Sequence, residues 1–135
     1  MKKAVILGLT CVVCGAAFAS TEHYVRRDGA HVQHLKITRI GDDIKATMDV
    51  DFEPNAMEAE RGVRPCSAEI EGEAEMISET ELVFKEQIPG ERRYCELRVQ
   101  LKGDEARVSE SRECGYFLAN FCRFDSEGKV LLRFK

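Results

Sequence analysis

The chain has 135 residues, with 20 basic, 24 acidic and three histidine side chains, a formal net charge of −4, six cysteines and no tryptophan. That length sets a single domain. The acidic balance excludes nucleic acid as a partner, because phosphates demand a clustered basic face; it permits a cationic protein as partner without implying one, since moderate net charge also serves solubility.

Residues 1–19 open with Lys2 and Lys3, continue through an apolar run from Ala4 to Phe18, and end with the small residues Ala17 and Ala19 around Phe18. These are the three regions of a secretory signal peptide, with cleavage expected after Ala19. The apolar run is too short for a transmembrane helix, and no other segment reaches 18 apolar residues. A periplasmic or secreted location follows. The "CVVC" at 11–14 resembles a redox motif in spacing but falls inside the expected leader. What remains after the leader is 116 residues carrying 18 basic and 24 acidic side chains.

Residues 20–30 are read as a polar lead-in, and residues 31–135 as one β domain. In "HLKITRIGDDIKATMDVDF", Leu35 and Ile37 alternate with polar residues, as do Ile44, Ala46, Met48, Val50 and Phe52 beyond a Gly41-Asp42 loop. Period-two alternation marks strands with one buried face, and the two-residue loop marks a hairpin setting Ile37 against Ala46. "PNAMEAERG" is the one helical segment, expected near 55–61, with Asn55 as its N-cap and Gly62 as its left-handed terminus.

A third and a fourth strand follow in "CSAEIEGEAEMISETELVFKEQI", turning at Ser78-Glu79-Thr80. "QLKGDEARV" repeats the hairpin chemistry around Gly103-Asp104, opposing Leu101 to Ala106 and Val99 to Val108. A last pair is expected at 117–124 and 129–134. About eight strands in an antiparallel meander imply a small barrel or a sandwich.

Four cysteines lie beyond the leader: Cys66, Cys95, Cys114 and Cys122. An even number in an exported chain reads as two disulfides, and gaps without C-x-x-C knuckles argue against zinc. In the Gly103-Asp104 hairpin Cys95 falls opposite Arg112, which makes Cys114 a diagonal neighbour on the same face. The register favours Cys95 with Cys114 and hence Cys66 with Cys122; a local Cys114 to Cys122 loop is the alternative.

No histidine lies beside a serine or cysteine motif, so nucleophilic catalysis has no base. His31 and His34 point to opposite faces of one strand and do not converge on a metal. No cofactor or metal site is expected. Glu69, Glu71, Glu73 and Glu75 share the outward face of one strand, about 7 Å apart, forming a negative ridge. Glu86 has inward parity with Leu82 and Phe84 and is expected across from Gly72, which leaves room for a carboxylate.

From Cys66 onward, the order of cysteine, small-residue strand, "YCELRVQLKGDEARVSE" and "CGYF…FC" resembles small exported bacterial disulfide-bonded β-domains of unassigned function. That resemblance implies fold alone. "KGDEARV" is also similar to the K-G-x-E-A turn of the periplasmic inhibitors of c-type lysozyme, whose S-G-x-x-Y loop has no counterpart here. The functional expectation is a non-enzymatic envelope module binding a protein or small ligand; a lysozyme-type inhibitor and a small carboxylate-dependent hydrolase are the alternatives.

Overall fold

The computed structural model describes residues 19–117 and 122–134, together with Gly8. Eight antiparallel strands close into a barrel: β1 (Ala19–Asp28), β2 (His31–Ile40), β3 (Asp43–Phe52), β4 (Cys66–Met76), β5 (Glu81–Gln87), β6 (Tyr94–Lys102), β7 (Glu105–Glu110) and β8 (Leu131–Arg133). Each strand pairs with its neighbours in sequence, and β8 returns to β1. The expected barrel is therefore the arrangement adopted.

The hairpin registers follow from turn chemistry. Gly41 and Gly103 have φ of 59° and 58°, and no residue beside them has a positive φ, which is the II′ pattern. Those turns put Ile37 opposite Ala46, Leu35 opposite Met48, Leu101 opposite Ala106 and Val99 opposite Val108. A one-residue slip would turn every apolar row outward. The rows instead meet in the lumen, where Leu35, Ile37, Met48, Ile70, Leu82, Phe84, Leu97 and Val99 are fully buried.

Residues 19–28 correct the sequence reading, since the supposed lead-in is a full strand. Gly29, at φ 58°, turns β1 into β2, and ten residue pairs align from Ala19 with Ile40 to Asp28 with His31. Alternation failed to reveal β1 because its inward side chains include Glu22 and Arg26. They are tolerated because the interior supplies partners: Tyr24 donates to Glu22 at 3.0 Å, and Arg26 donates to Gln33 at 3.2 Å. Burial and the Glu22 carboxylate push the Tyr24 hydroxyl up to about 12.

The last expected hairpin is also corrected. Residues 118–121 lie outside the described set, Arg112–Tyr116 form a 3₁₀ turn, and residues 122–130 form no strand. Ser126 takes the place of a strand partner, donating its amide to Val108 O at 2.9 Å while its hydroxyl accepts from Val108 N at 3.0 Å. β8 then closes the wall between β7 and β1.

The one α-helix among the described residues, α1 (Ala56–Glu60), has Asn55 accepting from Glu58 N at 2.8 Å. Both disulfides are the expected ones, Cys66–Cys122 and Cys95–Cys114. They suit an oxidising compartment. No helix among the described residues is long and apolar enough to cross a membrane.

Candidate functional site

Strand β4 places Glu69, Glu71, Glu73 and Glu75 on the outer wall, all exposed, because Ile70, Gly72 and Ala74 take the alternate inward positions. The register with β3 sets Asp49 opposite Glu69, Thr47 opposite Glu71 and Lys45 opposite Glu73. Like charges therefore meet at one end of the row and opposite charges at the other. A hydrogen bond with Asp49, followed by the charge of Asp49, holds the Glu69 carboxyl above its ordinary value. Lys45 bridges to Glu71 at 2.6 Å, and that contact raises the lysine.

Beside the row the outer wall is concave. A groove of about 1120 Å³ runs from Ile40 and Asp43 across Lys45 and Glu71, Glu73 and Glu75 to Val83, Lys85, Tyr94 and Glu96. Its floor carries exposed apolar surface, with Ile40 50% and Tyr94 44% accessible. Lys85 lies over the Tyr94 ring at 4.8 Å from its centroid. Acidic side chains thus frame an apolar strip, with two lysines already engaged by neighbours.

Glu86 departs from its expected place. The β4–β5 ladder ends at Ala74 with Phe84, so the extrapolated pairing of Gly72 with Glu86 does not form. An ideal Cβ on Gly72 would fall 2.3 Å from Lys85 O, so the β5 backbone itself occupies the space that glycine leaves. Glu86 is half-buried; burial first, and then the charges of Glu71 and Glu69, raise its carboxyl above the ordinary value. It borders the groove with Glu71 rather than lining a separate interior pocket.

Two histidines come together, His23 and His34, that the sequence reading did not pair. His31 and His34 do alternate along β2, but the β1–β2 register sets Val25 against His34 and Lys36 against His23. His23 and His34 become diagonal neighbours outside the barrel, with Nε2 to Nδ1 at 3.2 Å and ring centroids 5.3 Å apart. Gly29 at the first position of a two-residue loop, as in the Gly41-Asp42 and Gly103-Asp104 hairpins, is the signal that could have found the hairpin. Burial, then the charges of His34 and Lys36, lower the His23 pKa. Among the described residues no group of three or more His, Cys, Asp or Glu is disposed to hold a metal ion.

No family model, curated protein or solved structure matches the chain. The likenesses drawn from the cysteine order and the "KGDEARV" turn accordingly have no relative behind them. The geometry alone carries the functional reading.

Proposed function

We propose that this chain is a non-enzymatic, exported envelope module that docks a cationic protein segment along the outer wall of β4. The observation that carries the reading is the row of Glu69, Glu71, Glu73 and Glu75 running beside a groove whose floor exposes Ile40 and Tyr94. Apolar surface supplies contact area, while the acidic frame raises the encounter rate with a positive partner. The signal-like residues 1–19 and the two disulfides support a periplasmic or secreted location.

The test uses association kinetics with a c-type lysozyme as a well-defined cationic protein. A variant with Glu73→Lys and Glu75→Lys should associate at least about tenfold more slowly at low salt, the lower end of electrostatic steering effects. Physiological salt should narrow the difference, because exposed charges are screened over about 8 Å there. A folded variant that associates at the parent rate, or a parent chain that binds no cationic protein at low salt, would leave the glutamates as a solvated strand face. Lysis of bacterial cell walls by the same lysozyme separates docking from inhibition, since docking on this wall alone leaves lysis unchanged.

A further inference from the structure

We propose that His23 and His34 form a two-histidine chelate for a divalent transition-metal ion, of the class that includes Zn²⁺ and Cu²⁺, on the outer wall of β1 and β2. Their facing nitrogens, His23 Nε2 and His34 Nδ1, are 3.2 Å apart. Two nitrogens bound at the usual Zn–N distance of about 2.05 Å in a tetrahedral site are separated by about 3.3 Å. The spacing therefore matches that of two ligands on one ion, and a turn of the imidazoles that brings both lone pairs onto a common point lets an ion take the place of the shared proton. Imidazole is a preferred donor for both ions.

The backbone holds this pair in place. Ten residue pairs align β1 with β2, so the two Cα positions are set by the hairpin before any ion arrives. His23 is also braced from the other side: Phe134 N donates to His23 O at 2.7 Å, and the Phe134 ring lies 6.1 Å from the His23 ring. Preorganisation of this kind removes much of the ordering entropy that binding would otherwise cost. The charges nearby oppose each other. Asp49 is the cross-strand partner of His34 and favours a cation, whereas Lys36 is the partner of His23 and disfavours one. Two protein ligands leave the remaining positions to water or to a donor from a bound partner.

The fold also separates this site from a copper site built on a free amino terminus. A chain beginning at Thr21 would carry His23 third, as such sites require, but β1 holds Thr21, Glu22 and His23 extended in a ladder with Thr38, Ile37 and Lys36. A square-planar amino-terminal site needs that tripeptide wrapped around the ion and makes no use of His34.

The experiment is a titration of the folded protein with ZnCl₂, followed by calorimetry and by the side-chain nitrogen resonances of all three histidines. One ion per chain should bind, shifting His23 and His34 and leaving His31 in place. His23→Ala and His34→Ala should each weaken binding roughly a hundredfold, the lower end of the gain from two tethered sites. His31→Ala should bind as the parent does. Both substitutions lie on the outer wall, and His34→Gln, which keeps the bulk of the side chain, repeats the test if His34→Ala unfolds. Absence of Zn²⁺ binding at millimolar concentration would overturn the proposal. So would an unchanged affinity in the His34 variants, or an equal loss in His31→Ala.

Discussion

The two ends of the barrel are built by different means. At one end the strands are joined by Gly41-Asp42, by residues 77–80 and by Gly103-Asp104, all tight connections whose registers follow from local turn chemistry. At the other end Gly29-Ala30 is the one tight turn among the described residues; the connections 53–65, 88–93 and 111–130 are longer, and residues far apart in sequence hold much of this end together. Both disulfides lie there. So does Gln33, fully buried, whose amide donates to Arg123 O at 2.8 Å and Asp125 O at 3.0 Å. Glu110 adds to this by accepting from Arg123 Nε at 2.9 Å and Phe124 N at 3.2 Å. A short turn sets its own geometry through a few torsions, whereas a long connection must be ordered by bonds that span the fold.

On that contrast the largest losses belong to the stapled end. Replacing Cys66 and Cys122 by Ala should cost about 4 kcal/mol, more than the roughly 3 kcal/mol for Cys95 and Cys114, because the longer loop gives the unfolded chain more entropy to recover. Denaturant unfolding of the two double variants measures the difference; equal losses would show that loop length is not what matters. Gln33→Leu comes next, at about 1 to 3 kcal/mol, since it keeps a buried side chain but leaves the carbonyls of residues 123 and 125 without their donor. Protease cleavage within 122–130 should rise in that variant, which a uniformly weakened barrel would not show.

At the hairpin end the expected effect is smaller. Gly103→Ala forces a side chain into positive φ and should cost about 1 to 2 kcal/mol. Disulfide formation at the far end should proceed unchanged, and a scrambled bond pattern would show that the ends are not independent. The smallest effect is a pH dependence at the rim of the stapled end. His31, with Nε2 buried and unpartnered, has its pKa lowered by burial and then by Arg26. Above its ordinary 6.5 both folded and unfolded chains hold it neutral; as pH falls through that value the unfolded chain takes up the proton first, and stability declines down to the folded pKa. His31→Gln should flatten that decline by under about 0.5 kcal/mol, read from melting at pH 7 and pH 5.

The carboxylates on β4 and β5 act in the opposite direction. Glu69 and Glu86 are raised, so their charged forms cost stability at neutral pH, and that cost is relieved as pH falls toward their ordinary 4.5. Glu113, lowered first by a backbone hydrogen bond and then by Ser111, and His23, lowered by burial, act in the same direction as His31, so the acid profile is a sum over opposed groups. This is why a single histidine variant, compared with its parent, isolates the sign.

From residue order alone come the two glycine-led hairpins, the apolar rows they align, the Asn55 cap, both cysteine pairings and the outward row of glutamates. Apart from Cys66 with Cys122, which follows by elimination, each rests on short-range rules: strand period, turn torsions, capping and the register that a two-residue loop imposes. Only the closed barrel decided the rest. Glu22 and Arg26 face inward in β1 because Tyr24 and Gln33 wait there to bond them, and nothing in the local pattern announces those partners. The same closure brings His23 beside His34, sets Lys85 O where a Gly72 side chain would stand, and lets Ser126 act as a strand partner for β7. Period and turn chemistry act over a few residues, whereas interior polar pairing and the meeting of first and last strands depend on the whole wall being in place.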